Sequence, residues 1–491
     1  METKTISTDR CIRITDERAI LEGTLSLPYD TADLASVLDI SGCAEIISAS
    51  AENERISISG KARYTVLYMT KDGTIDSFDS ECSFDHVIPL PDASADMYVC
   101  ANARVCETTW RTEGSSIALR SSLSICLTAI FAASCETVVP EKHETYECNI
   151  SSIETLSCSC KGIKAYANGD IRIPQTLPEV QKILLARAYA EIRTIRKESE
   201  RIIAEGELSI SVIYESKDKN APLQFFTETL PFGEIVKDTA CTEDSMVFAE
   251  LSVDRITADL AEADSVSISG VISVNTICIN KHPQEIISDL YSLENLTEAA
   301  YCDLTISYPQ IHDCIKKTLR LDTTIPESAP EAARILYVAS SPEVIGILYS
   351  DQQLTVDGIM HILLIYSTAD SGIKSIRLKE PFELQLGRQS DVTFIRAFSE
   401  YTTAQGSGRQ IDLKTGLSLC LCGDHSDNIR TVSAVATSDF PERRPSGMIV
   451  YFADDGECMW DICKKYGIAQ NDAIPLDEKD LRRGDRVLLM R

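Results

Sequence analysis

The chain has 491 residues, 44% hydrophobic and 25% charged, enough apolar material for three or four cores at about 150 residues per domain. Its formal net charge of −28 argues against nucleic acid and anionic membrane surfaces, whose phosphates it would repel. No apolar run approaches the roughly 20 residues that cross a bilayer, and the polar start Met1-Glu-Thr-Lys-Thr5 lacks the apolar core of a secretion signal. A protein without a membrane span, kept in the cytoplasm, is expected.

Residues 1–25 carry short alternating runs such as Cys11-Ile-Arg-Ile14 and read as a lead-in strand. Asp30-Thr-Ala-Asp-Leu-Ala-Ser-Val-Leu38 has helix-start residues and apolar spacing for one or two helical turns. Its counterparts are Leu177-Pro-Glu-Val-Gln-Lys-Ile-Leu184 and Ala329-Pro-Glu-Ala-Ala-Arg-Ile-Leu336. Proline then glutamate suits a helix N-terminus, where no proline N–H is needed and negative charge is favoured. Strands are expected over 44–50, 55–69, 74–88, 97–108 and 117–131. Lys71-Asp-Gly73 reads as a primed turn that sends the chain back antiparallel. Ile117, Leu119, Ser121, Leu123, Ile125 and Leu127 share one face of the last of these strands.

This pattern recurs. Gly60-Lys-Ala-Arg-Tyr-Thr-Val-Leu-Tyr68 is matched by Gly206-Glu-Leu-Ser-Ile-Ser-Val-Ile-Tyr214 and Gly358-Ile-Met-His-Ile-Leu-Leu-Ile-Tyr366. Glycine and tyrosine stand eight residues apart, on one face of a strand. Leu38, Leu184 and Leu336 each precede the glycine by 22 residues, and Phe84, Phe232 and Phe382 follow the tyrosine. The glycines are 146 and 152 residues apart, a tandem array of units too long for a solenoid. The expected fold class is mainly β, with three antiparallel sandwich- or barrel-like repeats, each with a short helix, over 1–140, 141–292 and 293–437. The strand of the third copy is apolar on both faces apart from His361, as for a central strand or one covered by a neighbour. His361 reads as packed or surface histidine. Residues 183–203 fit either a longer amphipathic helix or a helical turn followed by a strand.

The 18 cysteines are expected to stay reduced and pack as small hydrophobes. Cys158-x-Cys160 and Cys420-x-Cys422 have no second pair at zinc spacing, so packing is favoured over metal and no metal or other cofactor is expected. No nucleophile elbow, phosphate loop, zinc-protease helix or dinucleotide fingerprint occurs, and carboxylate pairs such as Asp454-Asp455 carry little weight in so acidic a chain. The chain reads as non-enzymatic.

Residues 438–447, with two prolines, a glycine and a charge cluster, read as a linker. Beyond it, 448–491 reads as strand, helix, helix, strand: Met448–Phe452, Cys458–Tyr466 stopped by Gly467, a second turn near 477–481, and Val487–Met490. Ile449-Val-Tyr451, Asp455-Gly456-Glu457, Trp460-Asp-Ile-Cys-Lys-Lys-Tyr-Gly467 and Leu481-x-x-Gly484 make this tail resemble a LysM domain, a small α+β module of βααβ order. The resemblance implies a shallow groove for N-acetylglucosamine polymers, with Asp455, Gly456, Glu457 and Met459 facing Ile474 and Pro475. Trp460 fits a core role as well as a contact.

The repeats, with Gly…Val-Leu-Tyr68, Asp72-Gly73 and Phe84, resemble the SPOCS domain of bacterial spore-coat proteins. Three such units before one LysM domain resemble the clostridial spore-envelope assembly family. That resemblance implies a mother-cell protein at the forespore surface that holds the spore-coat morphogenetic ATPase through its tail. Trp460, Lys464, Lys465 and Tyr466 are then the expected partner contacts on the helix, and Lys464-Lys465 and Arg482-Arg483 are local basic exceptions. The alternative is a cell-wall or cortex protein that binds a peptidoglycan-like glycan.

Overall fold

The computed structural model describes residues 2–28, 34–114, 116–139, 145–218, 221–262, 264–350, 353–370, 372–389, 391–439, 447–477 and 481–490. Its first six strands are β1 (Thr3–Ser26), β2 (Leu34–Glu52), β3 (Arg55–Thr70), β4 (Ile75–Pro89), β5 (Tyr98–Glu113) and β6 (Ser116–Val138). They make two antiparallel sheets, ordered β2-β3-β4 and β1-β6-β5. The order recurs with β7 (Tyr146–Arg172), β8 (Val180–Glu198), β9 (Arg201–Ser216), β10 (Leu223–Lys237), β11 (Met246–Glu262) and β12 (Ser265–Ser292). It recurs again with β13 (Leu296–Thr324), β14 (Arg334–Ser350), β15 (Gln353–Ser367), β16 (Ile373–Gln385), β17 (Phe394–Ser407) and β18 (Gln410–Ser438). In each set the apolar core takes side chains from both sheets, and in the third it falls into two clusters. In the first, Ile58, Tyr64 and Val66 of β3 pack with Leu119, Leu123 and Ile125 of β6.

The recurring landmarks have physical reasons. Gly60, Gly206 and Gly358 stand directly across from Phe84, Phe232 and Phe382. A Cβ on any of these glycines would come under 3 Å from the phenylalanine ring and from the carbonyl of Glu45, Glu191 or Glu343. The ring covers the bare backbone, which only glycine permits. The buried Tyr214 and Tyr366 hydroxyls donate to the carbonyls of Pro178 and Pro330 at 2.9 and 3.0 Å.

The leucines do something else. A register shift in β2 falls between Val37 and Asp39, in β8 between Ile183 and Leu185, and in β14 between Ile335 and Tyr337. The extra residue is Leu38, Leu184 or Leu336. All three bulged leucines enter one apolar cluster, with Leu67, Ile213 and Ile365 and with Ile75, Leu223 and Ile373. A bulge re-aims a side chain, and here it aims three copies of one leucine at a shared point. The central strands β3, β9 and β15 thus bury both faces, one inside their own set and one against the other two. This explains the two-faced apolar strand around His361.

Further clusters also join all three sets. Cys11, Ile130, Leu156, Ile277, Ile306 and Tyr308 pack together, as do Val138, Ile287, Leu290 and Val432. The long ribbons β1/β6, β7/β12 and β13/β18 therefore associate along their length.

Several sequence expectations are corrected. The helical turns ending at Leu184 and Leu336 are not helical: 175–177 and 327–329 are turns that lead into the edge strands β8 and β14. In the first copy the stretch runs into β2, and its residues 30–33 lie outside the described ones. Residues 183–198 are strand with no helix. The β3–β4 connection is a loop over 71–74 with Gly73 at φ 87° and not a two-residue primed turn, because Asp72 does not enter the left-handed region. Cys100 of β5 and Cys160 of β7, expected as thiols, form a disulfide with Cα atoms 6.8 Å apart, since packing sets these strands side by side.

Replacing Gly206 by alanine should lower the unfolding free energy by about 2 kcal/mol, because the methyl group has a carbonyl on one side and a ring on the other. Gly233→Ala, where the nearest atom is a Glu205 side-chain carbon at 3.6 Å, should stay within about 0.5 kcal/mol of the parent. Chemical denaturation of both variants checks this.

Candidate functional site

The tail is built from β19 (Met448–Phe452), α1 (Met459–Tyr466), a 3-10 turn at Gln470–Asp472, β20 (Ala473–Pro475) and β21 (Arg486–Met490). Its sheet order is β19-β21-β20. Asp461 accepts the backbone N–H of Cys458 at 3.1 Å, closing the first turn of α1, and Gly467 at φ 58° stops the helix. Ile462, Cys463, Ile468, Val487 and Leu489 form a small core. The second helical turn expected near 477–481 falls largely on residues outside the described ones, 478–480.

The candidate groove residues divide. Glu457, Lys465 and Tyr466 gather around Tyr451. The Tyr451 hydroxyl donates to Glu457 Oε2 at 2.8 Å and lies 3.0 Å from Lys465 Nζ. The Tyr466 ring meets the Tyr451 ring edge-on at 5.5 Å. The backbone N–H of Asp454, then the Tyr451 hydroxyl, hold the Glu457 carboxyl below the usual carboxylate range. Asp455 and Gly456 are exposed in the loop between β19 and α1, and Met459 is half-buried. Ile474 and Pro475 are on a different element from that loop. They lie on β20, with Ile474 paired to Leu488 of β21, which pairs in turn with Val450.

Trp460 and Lys464 face inward, toward the second set of strands. Trp460 Nε1 donates to Asp289 Oδ2 at 2.7 Å, and Lys464 Nζ lies 2.6 and 2.7 Å from the two Asp289 oxygens. The Tyr301 hydroxyl reaches the same carboxylate at 2.8 Å. Beside it, Tyr291 packs edge-on to Trp460 and donates to the Ile468 carbonyl at 2.8 Å. A bulge between Ile287 and Asp289 presents the acid. Burial works against its charge, but the Lys464, Trp460 and Tyr301 hydrogen bonds outweigh burial and hold the carboxyl below its ordinary value. Two of the expected partner contacts are thus anchors of the tail within the chain.

Sequence reasoning missed a second constellation. Where the first three sets meet there is a cavity of about 370 Å³, lined by β2, β5, β8, β11, β14 to β17 and part of β6. Asp39 occupies the position held by Leu185 and Tyr337 in the other copies and is 1% exposed. It accepts from Arg187 of the second set and from Arg377 of the third, the latter at 2.7 Å. Arg377 Nη1 also donates to the Thr108 carbonyl at 2.6 Å. Although burial opposes its charge, the Asp39 carboxylate keeps the Arg187 guanidinium more firmly protonated than usual. His361 lies on the same cavity wall, 2.7 Å from Glu343 Oε2, which stands diagonally across the β14/β15 pair. No motif marks these residues. The signal available was one acid in an apolar repeat position.

Residues 33–110 and 179–261 match the family model described as SipL, SPOCS domain. The matches run from β2 into β5 and from β8 into β11, so both begin just before the bulged leucine. The chain carries SPOCS domains of the SipL type. No curated protein and no solved structure matches it.

A depressed carboxyl contributes stability above its unfolded value near pH 4, and that contribution is lost as the pH falls through the folded value. Acidification below about pH 4 should therefore loosen the tail. At neutral pH, Asp289→Ala should speed amide hydrogen exchange over 459–468 by tenfold or more while leaving β3 unchanged. Hydrogen exchange read by mass spectrometry checks both.

Proposed function

We propose that this SipL-like chain is a non-enzymatic scaffold of spore-envelope assembly, made of three SPOCS-like sandwich repeats over 1–140, 141–292 and 293–437, a linker, and a LysM domain over 448–491. The observation that carries the reading is the pair of SPOCS matches, which ties the chain to sporulation. The third set of strands supports a third repeat, because its strand order and bulged leucine repeat those of the matched segments. For the tail, a three-stranded sheet against one helix, with the Trp460–Tyr466 pattern inside it, supports the LysM assignment.

In this reading the tail holds the spore-coat morphogenetic ATPase and the repeats hold the tail. The docking on Asp289 uses Trp460 and Lys464, so the partner surface moves to what stays exposed: Asp455 and Gly456, with Lys465 beside them on α1. A docked helix with a free loop is suited to presenting a rigid surface, which lowers the ordering cost of association.

Capture of the ATPase by the full chain should fall at least tenfold on deletion of 447–491 and on Lys465→Glu. Unchanged capture by both variants contradicts the reading. Saturable binding of chitin oligosaccharide or peptidoglycan fragments by the full chain, without capture of the ATPase, moves the assignment to a glycan-binding protein.

A further inference from the structure

The cavity between the three sets has the wrong charge for its protein. The chain carries −28 overall, yet Arg104, Arg187, Arg377, Lys379 and Arg396 line the cavity against only Asp39 and Glu107. Asp39 is shared by two arginines. Glu107 pairs with Lys379 at 3.1 Å. Arg396 reaches Glu250 at 3.9 Å, but that carboxylate is already 2.5 Å from Arg13. Arg104 has no carboxylate within ion-pair distance among the described residues, and its guanidinium lies over the Phe398 ring at 5.5 Å.

The surroundings do not cancel the excess. Lys164 and Arg63 are balanced by Asp254 and Glu45. Arg18, Asp16 and Glu343 at the adjoining recess supply one net negative charge, which leaves the region cationic. Arg187 also buries an Nε–H that has no acceptor. Uncompensated charge and unpaired donors in a partly enclosed site are costly, and the same site strengthens attraction for an incoming opposite charge. Guanidinium groups present planar paired donors that match carboxylate and phosphate oxygens. The volume suits a small molecule more than a peptide segment.

We propose that this axial cavity is a binding site for a small oxyanion with two or more negative charges, a phosphate or polycarboxylate, which completes the junction of the three sets. Arg104, Arg187 and Arg396 supply the free donor edges. Asp39 holds Arg187 and Arg377 in place. Serine hydroxyls such as Ser41 and Ser340, also in the wall, add neutral donors.

The test uses the full chain, with pyrophosphate and citrate as separate probes and ionic strength matched with sodium chloride. Titration calorimetry and the thermal midpoint are the readouts. At least one probe should bind saturably and raise the midpoint by several degrees, as expected for a ligand that favours the folded state. The probe that binds more tightly identifies phosphate or carboxylate chemistry. Arg104→Gln should weaken binding tenfold or more, whereas Arg111→Gln, at an exposed pair with Glu113, should leave it unchanged. Ser41→Glu, which places a carboxylate inside the cavity, should abolish binding and raise the ligand-free midpoint. Absence of saturable binding of both probes overturns the proposal, and so does binding that persists undiminished in Arg104→Gln and Ser41→Glu.

Discussion

Three leucines, one from each set of strands, meet at a point that none of those sets could bury alone. Leu38, Leu184 and Leu336 are each the extra residue of a bulge, and their cluster is closed by the outward faces of β3, β9 and β15. Burying one such side chain is worth about 1.5–3 kcal/mol, so a dozen of them outweigh anything the ion pairs around the junction supply. At the buried Asp39 carboxylate the cost of desolvation offsets most of the attraction to its arginines. The polar groups near the axis have another consequence. Asp39 replaces an apolar residue in one copy only, so the three similar parts are not interchangeable at the junction. Losing that carboxylate would strand Arg187 and Arg377 unpaired at the junction, which costs more than the pair itself contributes.

The repeats were legible because their landmarks are required by close contacts. A glycine that must accept a phenylalanine ring keeps its place in every copy, and in the second and third copies the tyrosine eight residues on reaches a proline carbonyl. The helical reading of the leucine stretch failed for an equally physical reason. β8 carries register shifts after Val180, Ile183 and Ile192, and each shift changes which face the next residue takes. A strand with such slips loses its period of two and imitates a helical stripe. The proline-glutamate pairs added to the impression, although proline is as much at home at the start of an edge strand.

The tail shows the opposite limit. Its helix, the Gly467 stop and the closing strand were readable from local signals. Its anchor was not, because Asp289 is one acid in a chain of 75 acidic residues and gains meaning only when a bulge in β12 turns it toward Trp460 and Lys464. The cavity was hidden for the same reason. Arg104, Arg187, Arg377 and Arg396 come from three sets of strands, and no spacing along the chain relates them. Contacts between distant strands carry the chemistry here, while contacts between neighbours carry the repeat.

Both proposed roles depend on the three sets closing around one axis, since this closure makes the cavity and supports the platform on which the tail sits. Small-angle X-ray scattering of the full chain in dilute solution tests that closure directly. The account predicts a radius of gyration of about 23 Å, the value for a compact body of this length. A value of roughly 35 Å or more, as for three ~150-residue bodies in a row, would contradict it.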